Sequence, residues 1–110
     1  MKLSEQQRKH TRYIGMLILW AYRNGYELTL GEAYRTKEQQ AIYVKAGLSK
    51  TMNSKHLDRL ATDLNAFKNG EYLTDSDSYK PLGDYWKSLD PECVWGGDWG
   101  WDANHFQFTK

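Results

Sequence analysis

Two of the three histidines, His56 and His105, stand close in sequence to carboxylates that have no evident structural duty. His56 closes Ser54-Lys55-His56, His105 closes Asp102-Ala103-Asn104-His105, and Asp63 lies among Leu60, Ala61, Leu64 and Phe67. A charged carboxylate in such apolar company is costly to bury unless a metal or a hydrogen-bond donor compensates it. A lone histidine is ordinarily a packed or surface side chain, and His10, on the polar part of the first helix, is expected to be solvated. The combination of His56, Asp63 and His105 is less ordinary, because imidazole plus carboxylate is the donor set of hydrolytic metal centres. Cys93 is the only cysteine, which excludes an internal disulfide framework and an all-cysteine zinc site. It is expected to be a small buried hydrophobe.

The elements that must position these groups follow from periodicity. Ser4 with Gln7 has capping-box spacing, and Tyr13, Ile14, Leu17, Ile18 and Ala21 keep helical spacing, which predicts a helix over 4–24 stopped at Gly25. Tyr26, Leu28 and Leu30 alternate with Glu27, Thr29 and Gly31 as a strand does. Thr36 with Gln39 opens a second helix, ending at Gly47. Residues 48–54 read as a surface loop, 60–67 as a candidate strand, 74–78 as a polar loop and 79–89 as a third short helix stopped by Asp90-Pro91. The alternation His105-Phe106-Gln107-Phe108 closes the chain. At 110 residues, with five Trp and eight Tyr, one domain over 1–110 is expected. The net charge of +1 favours no polyanion, so no nucleic-acid partner is expected. No stretch approaches the ~20 apolar residues of a membrane span.

Geometry constrains the candidate ligands. A straight helix from His56 to Asp63 separates their backbones by roughly 10 Å and a straight strand by about 23 Å, so neither brings both to one ion. The chain must reverse between them. The spacing Leu57, Leu60, Ala61, Leu64 also fits an amphipathic helix, and periodicity alone does not decide between the two.

Taken together, Ser54-x-His56, Ala61-x-Asp63 and Asp102-x-x-His105 resemble the metal-binding signature of the zinc-dependent D-Ala-D-Ala metallopeptidases, especially their phage endolysin branch, the L-alanyl-D-glutamate peptidases. The likeness extends upstream through Tyr34-Arg35-Thr36-x-Glu38-x-Gln40, Tyr43 and Gly47. Downstream it continues through Trp95-Gly96-Gly97-Asp98-Trp99 and Asn104-His105-Phe106. Two positions depart from the pattern: Arg59 stands where many members have glycine, and Thr62 where a hydrophobic residue is common. A surface pairing of Asp58 with Arg59 is one way to make the reversal.

The resemblance implies an α+β fold, with two or three helices packed on a small, mainly antiparallel sheet. It implies one Zn²⁺ held by His56, Asp63 and His105, with the fourth position open for water. By the same resemblance Asp102 is the general base, and Arg35 lies over the substrate carbonyl and stabilises its developing charge. A surface arginine paired with Glu32 or Glu38 is the plainer alternative for Arg35. Ser54 and Gln40 are further candidates for substrate binding, or for orienting His56 and bracing the helix. Trp95, Trp99, Trp101 and Phe106 could form a platform for sugar rings, although core and cleft wall are commoner uses of such residues.

The implied function is a zinc peptidase of peptidoglycan stem peptides, a phage or prophage endolysin. A D,D-carboxypeptidase with the same machinery and a non-catalytic wall-binding module are the rivals. The expected protein is a monomer without stable membrane insertion. It is expected to have no separate cell-wall-binding domain and no signal peptide, and to stay in the host cytoplasm until released to the wall.

Overall fold

The computed structural model describes residues 1–49 and 54–109, so most of the expected 48–54 loop lies outside the described residues. Helix α1 spans Leu3–Arg23, and its buried positions His10, Ile14, Leu17 and Ala21 form one inward stripe. The expected Ser4–Gln7 capping box does not form. Lys2 occupies the cap position without a side-chain bond, and the Gln7 amide instead donates to the Asp58 carbonyl at 2.8 Å. Gln7 thereby ties the start of α1 to the turn that carries His56.

Strand β1 (Tyr26–Leu30) leads to helix α2 (Lys37–Lys45), whose cap Thr36 accepts from the Gln39 N–H as expected. A 3₁₀ turn, Lys55–Asp58, precedes strands β2 (Ala61–Lys68) and β3 (Glu71–Tyr72). Helix α3 runs over Ser76–Leu89 and starts inside the expected polar loop, because Asp75 accepts from the Ser78 N–H and caps it. A short strand β4 (Cys93–Trp95), a second 3₁₀ turn (Gly96–Trp99) and strand β5 (His105–Phe108) complete the chain.

The sheet order is β1-β2-β5-β4 with β3 also paired to β2, and every pairing is antiparallel. This is the α+β architecture expected from the sequence. Helices α1 and α3 cover one face, where Leu17, Leu64, Leu82, Trp86, Phe106 and Phe108 are buried. The Trp86 indole donates to the carbonyls of Val94 and Gln107, at 3.0 and 3.2 Å, so its one polar atom is satisfied in the core. Truncating such a side chain costs about 3–5 kcal/mol.

Strand β2 settles the ambiguity between helix and strand. Residues 57–64 divide into a 3₁₀ turn, a reversal and a strand, with Arg59 in the left-handed region at φ 55°. That conformation disfavours a non-glycine residue by roughly 1–2 kcal/mol. The Arg59 guanidinium lies 4.1 Å over the Tyr34 ring, a contact of about 0.5–1 kcal/mol at an exposed site, and not against Asp58.

The expectation for His10 is corrected. Its side chain is 3% exposed, packs edge-on against Trp86 and bonds Thr62 Oγ1 at 2.9 Å. Thr62, a departure from the family pattern, is therefore the partner of a buried imidazole on α1. Burial, then the nearby imidazoles of His105 and His56, lower the His10 pKa to about 4.

Candidate functional site

The sheet face opposite α1 and α3 carries the chemistry. Asp63 and His105 are directly paired across β2 and β5, so their side chains leave the same face side by side. Asp63 is held through its backbone, since its N–H donates to the Glu32 carbonyl and its carbonyl accepts from the Gly31 N–H, both at 2.8 Å. A Cβ on Gly31 would sit 2.9 Å from the Asp63 Cβ, so only glycine allows this approach. His56 arrives from the first 3₁₀ turn, whose cap is Ser54, its hydroxyl accepting from the His56 N–H at 3.3 Å.

One donor atom from each of His56, Asp63 and His105 lies within 4.8 Å of the others. Asp63 Oδ1 is 3.2 Å from His56 Nε2 and 3.5 Å from His105 Nδ1, close but off-axis, and it is buried without an aligned hydrogen bond. Burial alone would raise the Asp63 pKa, but the two imidazoles hold it down at about 2. These separations suit a metal better than an ion pair. A charge-assisted N–H to carboxylate bond is about 2.7–2.9 Å long. Ligands on a tetrahedral zinc with bonds of about 2.0–2.1 Å stand about 3.3 Å apart. The orphaned carboxylate oxygen between two nitrogens thus fits Zn²⁺, with His56, Asp63 and His105 as its ligands.

Gln107 lies two residues along from His105 on the same face of β5. Its Oε1 lies 2.7 Å from His105 Nε2, while its amide nitrogen donates to the Thr109 carbonyl at 3.0 Å. The second bond turns the oxygen toward the imidazole, so Nε2 carries the proton and Nδ1 keeps the lone pair that faces Asp63. Burial opposes charge on His105, but contacts with Asp63 and Gln107 and the Asp102 charge outweigh it and raise the pKa.

Asp102 sits in the turn before β5, with Oδ2 3.6 Å from His105 Nδ1. Burial is the main cause that raises its pKa above the usual carboxylate range, with Asp63 adding to it against the imidazoles. Two features hold this turn. The Trp95 indole donates to the Ala103 carbonyl at 2.7 Å, and Gly96 passes so close that a Cβ there would collide with the Asp102 carbonyl oxygen.

Arg35 reaches the same cleft from the segment before α2. Its side chain is only 10% exposed, which departs from the surface alternative, although its partner is Glu32 as that alternative supposed. Nε and Nη2 donate to Glu32 Oε1 at 3.2 and 2.6 Å, Nη1 to Gln40 Oε1 at 2.8 Å, and Ser54 Oγ is 3.5 Å away. The guanidinium also lies 4.7 Å over the Tyr43 ring. Gln40 is fully buried behind Arg35 and donates to Ser49 Oγ at 2.8 Å, so it braces Arg35 from behind.

A cleft of about 480 Å³ is lined by Arg35, Ser54, His56, Asp63, Asp102 and His105, and by Tyr43, Trp99 and Trp101. All the sequence candidates except Gln40 meet there. Of the four aromatic residues offered as a sugar platform, Trp95 and Phe106 belong to the buried core, whereas Trp99 and Trp101 stand exposed at the cleft. Cys93 is buried, and its thiol is pushed up to about 12, mainly by burial. Tyr43 lines the cleft from the upstream likeness, and Glu32 is the Arg35 partner that the plainer alternative named. Gln107, also in the lining, carries no motif of its own, and its signal is position, at i+2 on the strand of His105.

Comparison with known proteins agrees with this geometry. The profile of a family described as D-alanyl-D-alanine carboxypeptidase matches residues 47–108. The L-alanyl-D-glutamate peptidase of Listeria phage A118 is 42% identical over 100 residues, covering 84% of this chain and 34% of the phage protein. The chain thus spans about a third of that relative's length. Among solved structures, the Serratia marcescens L-Ala D-Glu endopeptidase ChiX superposes with a TM-score of 0.76 at 27% identity, over 96% of this chain and 85% of that one. A mutant of the vancomycin resistance D,D-pentapeptidase VanY, solved with Zn(II), shares the fold, with a TM-score of 0.57 at 20% identity over 93% and 71% of the two chains. With the profile covering more than half of the chain and the candidate metal cluster of His56, Asp63 and His105 brought together, this protein belongs to the D-alanyl-D-alanine carboxypeptidase family of metallopeptidases.

Proposed function

We propose that the chain is a zinc peptidase that hydrolyses the L-alanyl-D-glutamyl bond of peptidoglycan stem peptides. The observation that carries this reading is the convergence of His56, Asp63 and His105 on one point of an open cleft, with the Asp102 carboxylate beside it. The phage and Serratia relatives, both described as acting between L-Ala and D-Glu, support the choice of bond. A role in phage or prophage lysis is supported by the phage relative, and the protein would then reach the wall from the host cytoplasm.

His56, Asp63 and His105 would hold a zinc ion, which would supply Lewis acidity and lower the pKa of bound water. The protein's own groups do the rest. Asp102, whose carboxylate is made more basic by burial, takes a proton from the attacking water and returns it to the departing amine. The water oxygen bonds to the alanyl carbonyl carbon as the C–N bond breaks. Glu32 and Gln40 fix the Arg35 guanidinium from one side, so its remaining donor capacity can meet the negative charge that develops on the carbonyl oxygen.

The test is digestion of purified peptidoglycan, with mass spectrometry of the products. A new amino terminus on D-Glu is expected. Release of terminal D-Ala would make the enzyme a D,D-carboxypeptidase, and absence of any cleavage by the zinc-loaded protein would make it a binding module. Asp102→Ala is expected to keep zinc and fold while losing nearly all hydrolysis. Loss of zinc in that variant would make Asp102 a ligand.

A further inference from the structure

Trp99 and Trp101 have no part in the chemistry above, yet they are 45% and 53% exposed, while Trp86 and Trp95 are buried. His105, Trp99 and Trp101 form a row of successive ring contacts. The Trp99 ring lies 5.2 Å from that of His105, and the Trp101 ring 6.2 Å beyond it at 38°. Trp101 borders both the metal cleft and a second hollow of about 160 Å³, lined by Tyr72, Thr74 and Asn104 among others. The row is anchored, since Asp98 accepts from Lys87 at 2.8 Å and Gly100 makes the turn between the indoles at φ 89°.

We infer that Trp99 and Trp101 form a subsite for the N-acylated amino sugar that bears the stem peptide. This rests on the proposed cleavage between L-Ala and D-Glu, and it names what lies on the other side of that bond. The alanyl residue is joined through a lactyl group to the sugar. Alanyl and lactyl units are each about one residue long, so the ring lies about 7 Å from the reacting carbonyl. That reach matches the start of the indole row. A pyranose presents a flat face of C–H groups bordered by hydroxyls and an amide. It therefore suits exposed indoles next to the polar side chains of Thr74 and Asn104. The sugar of the substrate carries no charge at this point, because its carboxyl is already consumed in the amide to L-Ala, so the subsite needs no cation opposite it.

The test compares two soluble substrates of the same peptide sequence, one carrying a GlcNAc–MurNAc disaccharide and the other an acetyl group in its place. In the parent, kcat/KM is expected to favour the sugar-linked substrate. Trp101→Ala should reduce that preference about ten-fold, through KM, the size expected for one stacked aromatic. Trp101→Phe should restore most of it. An equal loss on both substrates, or no loss on either, overturns the subsite. A second readout keeps this separate from the choice of bond: the peptide-free disaccharide, its lactyl carboxyl capped as the methylamide, is titrated into the zinc-loaded parent and the indole N–H signals are followed by NMR. Shifts confined to Trp99 and Trp101 support the subsite even if the bond cleaved is another one. Unmoved indole signals refute it even if L-Ala–D-Glu cleavage is confirmed.

Discussion

Replacing Gln107 by Leu should weaken zinc binding without touching a ligand. Gln107 Oε1 is the acceptor for His105 Nε2–H at 2.7 Å, and His105 is almost fully buried. Leucine has similar bulk but no acceptor. In the variant the ligating tautomer, with its proton on Nε2, carries an unsatisfied buried donor, which costs about 1–3 kcal/mol. The imidazole escapes this by moving the proton to Nδ1, the atom that faces Asp63, and zinc must then reverse that choice. Loss of such a supporting hydrogen bond typically lowers metal affinity about 10–100-fold, equivalent to about 1.4–2.7 kcal/mol. Gln107→Glu keeps an acceptor and should stay near the parent. Competition against a fluorescent zinc chelator at neutral pH gives the affinities, and two-bond ¹H–¹⁵N correlations of the His105 ring give the tautomer. Parent-like zinc affinity in a folded Gln107→Leu protein, or equal weakening in the Leu and Glu variants, would refute the tautomer argument.

Arg35→Lys keeps a charge but loses the planar fork whose separate nitrogens meet Glu32 and Gln40, so kcat is expected to fall by ~10²-fold, roughly 2.7 kcal/mol, if the guanidinium meets the developing oxyanion. Arg35→Ala should show the same loss and also a lower Tm, because the buried Gln40 carbonyl loses its donor; near-normal turnover in both variants would leave Arg35 a purely structural role. His10 sets an acid sensitivity. With its pKa lowered to about 4 in the fold and about 6.5 when unfolded, the unfolded chain binds the extra proton first, so stability is unaffected above pH 6.5 and falls between pH 6.5 and 4. The full loss is about 3 kcal/mol, and urea unfolding of metal-free His10→Gln should show that much less acid destabilisation than the parent. Parallel pH profiles would remove His10 as the cause.

The parts of the fold that were legible in the sequence are those where local chemistry decides the outcome. Thr36 caps α2 because its own hydroxyl satisfies the Gln39 N–H, and β1 alternates because only one of its faces is well buried. Where long-range packing decides, local pattern misleads. Residues 57–64 join the end of a 3₁₀ turn, a reversal and the start of β2, so apolar residues from separate elements imitate one helix. His10 looks like a solvated residue because its reason to be buried, Thr62, lies on a strand far along the chain. The start of α3 was hidden in a run of polar residues, of which Asp75 turns out to be a cap.

The site was legible as a set of residues, not as a geometry. Residue type and spacing nominate His56, Asp63, Asp102 and His105, but they meet only because β2 and β5 pair with Asp63 opposite His105. A slip of one residue would turn Asp63 toward α1 and bring Thr62 to the cleft, since successive strand residues face opposite sides. The neighbouring pair holds the register: Phe106, opposite Thr62, is fully buried on the helical face and meets Trp86 edge-on at 6.0 Å. Gly96 adds a second restraint, because it lets the Asp102 turn close against the start of β5, where a side chain would push it away. The same strand therefore carries core residues on one face and the candidate ligand His105 with its orienting glutamine on the other. Packing behind the sheet is what brings the donor atoms to separations that a zinc ion fits.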